Sequence, residues 1–243
     1  MTAMHTVRRA ARSFGLEVVR ANPMTAWRCR LPALLAREGL DLVLDVGAND
    51  GGFAVELLEN GYTGKIVSFE PLPDAWERLN AKASGAWSSQ WSVAPRMALS
   101  DQDGEAEFHE AGNSASSSLL KMTNAHLEAA PHTATVNVHK VTTRRLDDVI
   151  TTLGVKNGAY LKLDVQGAER IVLDGAKDAL SSSIRAIQLE MSLTTLYEGQ
   201  TLAGDMDAFV RGLGFTLWDM VPGFRDPKTL RLMQYDGIYL RAR

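Results

Sequence analysis

The chain has 243 residues, 45% of them hydrophobic and 23% charged, near the averages for soluble globular proteins, which excludes a disordered, collagen-like or disulfide-stapled chain. That length suits one α/β domain with a sizeable core. A formal net charge of −3, from 26 Lys and Arg against 29 Asp and Glu, offers no general field for a nucleic-acid backbone, so no nucleic-acid partner is expected. Cys29 is the sole cysteine, which rules out intramolecular disulfides and multi-cysteine zinc sites and makes a reducing, cytoplasmic compartment the expectation. No apolar run approaches the ~18 residues of a membrane span.

Residues 1–40 come first. They hold seven arginines, at 8, 9, 12, 20, 28, 30 and 37, against Glu17 and Glu38, which leaves +5 there and −8 in the remainder. Arg12, Glu17 and Arg20 interrupt every candidate apolar core of a secretory signal, so secretion is not expected. Val7, Ala11, Phe14 and Val18 share one helical stripe flanked by Arg8, Arg9 and Arg12. Two readings stay open. The helix packs its stripe on the domain with a solvated basic face, or residues 5–20 touch an anionic membrane peripherally, at its inner face.

From residue 40 onward, β-rich runs alternate with helical patterns. Strands are predicted near 41–46, 65–70, 93–98, 135–141, 159–164, 184–190, 214–220 and 236–242. Helices at 51–60, 73–83, 145–153, 168–180 and 203–212 lie between most of them. This alternation means βαβ units and a mainly parallel sheet with helices on both faces. The last two strands are joined by a loop with Pro222, Gly223 and Pro227 and no crossover helix, so they should pair antiparallel at one edge. The small, polar segment 112–118 reads as a flexible loop, and 109–132 as a mobile lid over an acceptor. A seven-stranded, mainly parallel sheet with one antiparallel edge strand resembles the class I methyltransferase fold, a Rossmann-like α/β architecture, here over residues 41–243.

The chemistry concentrates at the predicted carboxyl ends of the strands, where open α/β sheets bind ligands. The first strand enters a turn containing Asp45, Gly47, Ala48, Asn49 and Gly51. Gly47 lets the backbone approach a ligand, and Gly51 lets the next helix start against the strand. The pyrophosphate-binding pattern G-x-G-x-x-G is broken, because Asn49 stands where its second glycine belongs. A phosphate-free cofactor with a methionine tail fits better, which points to S-adenosylmethionine rather than NAD. Glu70 closes the second strand 25 residues after Asp45, placed to accept hydrogen bonds from a ribose diol. Ser100 and Asp101, after the third strand, could bind an adenine amino group, or form a plain turn with Gly104. Lys162 and Asp164 share one face of a later strand, where burial without pairing would be costly, and Glu190 closes the strand after it.

Together these residues resemble the FkbM family of S-adenosylmethionine-dependent O-methyltransferases. The likeness rests on L-D-V-G-A-N-D-G at 44–51, F-E-P at 69–71, A-L-S-D at 98–101 and S-S-L at 117–119. It continues in R-L-D-D at 145–148 and L-K-L-D-V-Q-G-A-E at 161–169, and covers residues 40–243. The resemblance implies cofactor roles for Asp45, Gly47, Asn49, Glu70, Ser100 and Asp101, with Ala48 and Gly51 completing the turn. Family members often carry an acid where this chain has Gln166, so no base or metal role is carried over to that position. The family methylates hydroxyls of sugars, glycolipids and polyketide-like products, so the expected acceptor is a sugar hydroxyl, on a glycolipid or another glycosylated natural product. A polyketide or fatty-acyl hydroxyl, or a non-catalytic nucleotide-binding protein of the same fold, are the alternatives.

Methyl transfer is an in-line displacement in which alignment supplies much of the acceleration, and a neutral hydroxyl needs a base or a metal. Asp164, Glu190 and Lys162 are the catalytic candidates, and Asp164 with Glu190 could hold Mg²⁺. Of the histidines, His109, His126 and His132 flank the serine-rich segment and His139 lies in a strand. Trp218, Phe224, Tyr197 and Tyr235 either form a sugar-stacking wall or belong to the core. A homodimer is a base-rate expectation.

Overall fold

The computed structural model describes residues 3–242; residues 1, 2 and 243 lie outside the described residues. The arginine-rich start forms α1 (Ala3–Ser13). Its stripe does not pack on the domain: Val7 is 52% exposed and Phe14 81%. The next helix, α2 (Trp27–Glu38), is stopped by Gly39 in the left-handed region and buries Leu31, Leu34 and Leu35. Leu31 and Leu35 join Leu40 and Tyr62 in one core, so within 1–40 the part from Trp27 onward is built into the domain.

Leu42–Val46 (β1) is buried at all five positions. Leu42, Leu44 and Val46 feed one hydrophobic core and Val43 the other, as a period of two demands in a sheet covered on both faces. There follow α3 (Gly52–Glu59), β2 (Lys65–Phe69), α4 (Pro73–Ala83), opened by proline in its first turn, and β3 (Trp91–Val93). The strand expected at 93–98 is two strands. Pro95 cannot donate to a ladder, so pairing stops after Val93 and resumes as β4 (Ala98–Leu99) in a different sheet.

Two more elements depart from expectation. β5 (Gly104–Ala111) pairs antiparallel with β6 (Thr135–Arg144), and between them lies α5 (Asn124–Ala129). Segment 109–132 is therefore not a loose loop: Ser116, Ser117 and Ser118 are buried, and Ser118 Oγ donates to Gln166 O at 2.8 Å. After α6 (Leu146–Ile150) and β7 (Ala159–Leu163), the helix expected over 168–180 is α7 (Glu169–Asp174) and α8 (Lys177–Ser182). It breaks at Gly175, whose α-carbon lies so close to the Ser100 carbonyl that a β-carbon there would collide.

The chain ends with β8 (Ile184–Ser192), α9 (Ala203–Gly212), β9 (Phe215–Pro222) and β10 (Gln234–Arg241). The main sheet has seven strands in the order β3-β2-β1-β7-β8-β10-β9, and β4-β6-β5 form a second, smaller sheet. β10 is antiparallel to both β8 and β9 and sits between them, so the antiparallel pairing falls at this edge as expected. Among the described residues, no helix is long and apolar enough to cross a membrane.

Candidate active site

The turn after β1 forms one wall of a cleft. Gly47 has φ 75°, and a β-carbon there would drive into the Asp164 carbonyl, so glycine alone lets β1 and β7 close up at this edge. Asn49 also takes a left-handed φ of 47°, which aims its N–H at Glu70 Oε2, 2.8 Å away, while Leu72 N donates to Oε1 at 2.8 Å. Burial lifts the Glu70 pKa to about 7, against these two hydrogen bonds. A narrow cleft lies between Gly47, Asn49, Glu70, Met97, Leu99 and Asp164, with Ser114, Ala115, Ser117 and Leu119 on its other side. An apolar slot beside one buried carboxyl, walled by a glycine that admits no side chain, suits an adenosine whose ribose faces Glu70.

Behind the cleft the sheet register builds a buried polar row. Asp45 stands beside Ser68 on β2 and Lys162 on β7. Ser68 Oγ donates to Asp45 Oδ2 at 3.1 Å, and Lys162 Nζ lies 3.1 Å from Oδ1. Burial opposes the Lys162 charge, but Asp45 and then Asp164 more than offset it, and its pKa is raised. Lys162 therefore stays an ammonium, 3.5 Å from Asp164 Oδ2 and 5.1 Å from the Phe53 ring centroid. Asp45 and Lys162 are 0% and 5% exposed and act from behind the cleft rather than from its lining.

Beyond Asp164 the carboxyl ends of β7 and β8 meet the amino end of the antiparallel β10. Gln166, at a left-handed φ of 55°, donates from one amide nitrogen to Asp164 Oδ1 at 2.8 Å and to Glu190 Oε2 at 3.0 Å. Gln234 Nε2 donates to the same Glu190 oxygen at 2.6 Å. The Tyr197 hydroxyl lies 2.8 Å from Gln166 Oε1 and 2.9 Å from Ser116 O. Burial, with Asp164, Glu169 and Asp236 adding negative charge, pushes the Glu190 pKa well above the usual carboxylate range. Burial likewise lifts Glu169 to about 7 and Asp236 to about 6. Asp164 is the accessible acid here, its side chain 41% exposed.

This donor chemistry does not fit Mg²⁺ between Asp164 and Glu190. The Gln166 amide nitrogen occupies the bridging position with its protons toward both carboxyls, and Glu190 favours its neutral form. Among the described residues no three His, Cys, Asp or Glu side chains group to hold a metal ion.

The remaining candidates scatter. Ala48 and Gly51 shape the turn without lining the cleft; Gly51 lies against Trp91 and Leu79. Ser100 and Asp101 also lie outside the lining: Ser100 is buried, its N–H donating to Arg144 O and its Oγ to Asp101 Oδ1. The preceding Met97, Ala98 and Leu99 face the cleft instead. Among the described residues no histidine lines it. His126 is buried with its ring edge on Tyr197 at 5.1 Å, and burial lowers its pKa; His139 pairs with Glu110. The aromatic wall does not form, because Tyr197 and Tyr235 are buried, Trp218 lies under Arg37 and Phe224 packs toward His126. The sequence marks Tyr197 only as a wall or core aromatic, not as a partner of Gln166, and it does not mark Gln234 or Asp236. Only spacing to a strand end could have flagged Gln234 and Asp236, and nothing local marks the Tyr197 hydroxyl.

A family model described as "Methyltransferase FkbM domain" matches residues 45–217. A "2-O-methyltransferase NoeI" of Sinorhizobium fredii is 30% identical over 165 residues, covering 65% of this chain and 66% of that protein. A "31-O-demethyl-FK506 methyltransferase FkbM" of Streptomyces tacrolimicus is 30% identical over 205 residues, 73% of each chain. The chain spans 66% of the first of these relatives and only 9% of the matched "AMB antimetabolite synthetase AmbE" of Pseudomonas aeruginosa. Among solved structures, magnesium protoporphyrin IX methyltransferase of Synechocystis PCC 6803, with bound SAM, aligns with all of this chain and 98% of its own at TM-score 0.50 and 13% identity. That likeness is one of fold.

Proposed function

The chain belongs to the FkbM methyltransferase family, with an S-adenosylmethionine-dependent O-methyltransferase domain, and we propose that it methylates a hydroxyl of a sugar, on a glycolipid or other glycosylated natural product. The observation that carries the reading is Asp164, a carboxylate with its side chain 41% exposed where the cofactor cleft meets the amide and carboxyl cluster. S-adenosylmethionine supplies a methyl group activated by its sulfonium. Glu70 holds the ribose, and Gly47 and Asn49 present backbone to the methionine end.

Asp164 takes the acceptor proton as the hydroxyl oxygen bonds to the methyl carbon and the carbon–sulfur bond breaks, leaving a methyl ether and S-adenosylhomocysteine. The Lys162 ammonium stands 3.5 Å from Asp164 Oδ2, on the side away from the acceptor. Gln166 holds the Asp164 carboxyl in place, and neutral Glu190 has a proton to donate to a neighbouring hydroxyl of the acceptor. A polyhydroxylated ring suits a rim made of Gln166, Glu190 and Gln234.

The test incubates the purified chain with methyl-tritiated S-adenosylmethionine and a panel of neutral glycosides, a glycolipid and a hydroxylated polyketide. Label in a glycoside or glycolipid, found as a methyl ether by mass spectrometry, is the expected result. Label only in the polyketide would move the acceptor class. S-adenosylhomocysteine binding without transfer to any acceptor would support a non-catalytic protein of this fold.

A further inference from the structure

We propose that residues 5–20 form a docking element for an anionic lipid surface, an inference that stands apart from which hydroxyl is methylated. The segment folds on itself. Just past α1, Gly15 takes φ 72° and the Leu16 N–H returns to Ala11 O at 3.0 Å, turning the chain back along the helix. Arg12 grips Glu17 through two hydrogen bonds of 2.9 and 3.0 Å, and Arg8 Nε donates to Val18 O at 3.0 Å. The turn presents Phe14, 81% exposed, and Leu16, 62%, to solvent, and along the two arms Val7 and Val19 are 52% exposed each. Exposed Phe and Leu at one tip, on a segment that supplies its own hydrogen bonds, lose free energy in water that burial elsewhere would recover.

Charge decides what covers them. Residues 5–20 carry Arg8, Arg9, Arg12 and Arg20 against the single acid Glu17, and Glu17 is already paired to Arg12. A basic amphipathic element with aromatic and leucine anchors matches an anionic interface, which accepts the rings at acyl depth and the guanidinium groups at phosphate level. The acidic remainder of the chain, at −8, is repelled by the same surface, so the domain hangs off the membrane with only this element in contact. A second copy of the chain, whose acidic domain is also complementary to the arginines, is the competing occupant.

The experiment is flotation of the full chain with vesicles of phosphatidylcholine alone or with 30% phosphatidylglycerol, added at ~30% as a standard anionic load. The expected result is flotation with the anionic vesicles only, abolished by high salt. Phe14→Ser should weaken partition by about tenfold or more, and Arg8→Glu with Arg9→Glu by about fivefold per arginine lost. S-adenosylhomocysteine affinity should be unchanged in these variants, which separates lost docking from a lost fold. Equal flotation with neutral vesicles, no flotation, or a dimer by sedimentation that Phe14→Ser dissociates would each overturn the proposal. Docking with no transfer to any glycoside would leave this inference standing and count against the acceptor class alone.

Discussion

Both oxygens of Glu70 already accept a backbone N–H, at 2.8 Å each, yet burial holds its pKa near 7. A ribose diol adds two donors to the same carboxyl, each charge-assisted bond being worth roughly 1.5–3 kcal/mol when the carboxyl is ionised. Glu70→Gln should therefore weaken S-adenosylhomocysteine binding by about 2 kcal/mol, roughly thirtyfold. Raising the pH from 6 to 8 ionises Glu70 and should tighten binding in the native protein but not in the glutamine variant. Calorimetric titration at both pH values reads the two effects, and equal affinities at pH 8 would take the ribose away from Glu70. Asp164 carries the complementary test on turnover. Asp164→Asn keeps an acceptor for the Gln166 amide but cannot take a proton, so kcat should fall by about 10²–10⁴ while KM for the acceptor changes little. A variant with native kcat would remove Asp164 as the base.

At the scale of elements, the tight approach of β1 and β7 depends on one residue. Gly47→Ala puts a β-carbon into the Asp164 carbonyl at a backbone angle alanine resists, and should cost about 3 kcal/mol or more. Gly15→Ala meets the same left-handed angle in open space and should cost about 1 kcal/mol, confined to the end of α1. Urea denaturation compares them, and equal losses would mean that the angle, not the contact, is what Gly47 provides. The same elements explain what the sequence disclosed. β1, β7 and β8 were legible because strands buried on both faces read as continuous apolar runs, and Asp45, Glu70, Asp164 and Glu190 were legible because each closes or nears such a run. β5 escaped because its inward Ala106 and Phe108 alternate with glutamates and a histidine that resemble a solvated turn. The break between α7 and α8 escaped because the contact that demands glycine there, the Ser100 carbonyl against Gly175, lies far away in sequence. Tyr197 was legible as a core aromatic, but its hydroxyl's role escaped for the same reason: its partners, Ser116 and Gln166, come from two other segments.

Across the molecule, four acids with raised pKa values, Glu70, Glu169, Glu190 and Asp236, lie along one sheet edge, a concentration that stability alone would not favour. Glu169 isolates its cost, because it is 3% exposed and caps the loop before α7, accepting from Val165 N at 3.1 Å and Gly167 N at 3.3 Å. Its folded pKa of about 7 exceeds the ordinary 4.5, so the folded chain binds this proton more tightly than the unfolded one. Stability from this group is therefore fully present below about pH 4.5 and is lost as pH rises through 7. Glu169→Gln keeps the acceptor oxygen for both N–H groups and removes the titration. The variant should melt with the native protein near pH 5 and a few degrees above it at pH 8. Buried His126, whose pKa is lowered, acts oppositely, costing stability as pH falls below its ordinary 6.5, and it cancels from this comparison because both proteins carry it. Calorimetric scans of the pair across pH 5–8 measure the difference directly. Parallel melting curves would show that Glu169 ionises in place without penalty, and that the acids at this edge impose no cost on the fold beyond pH 7.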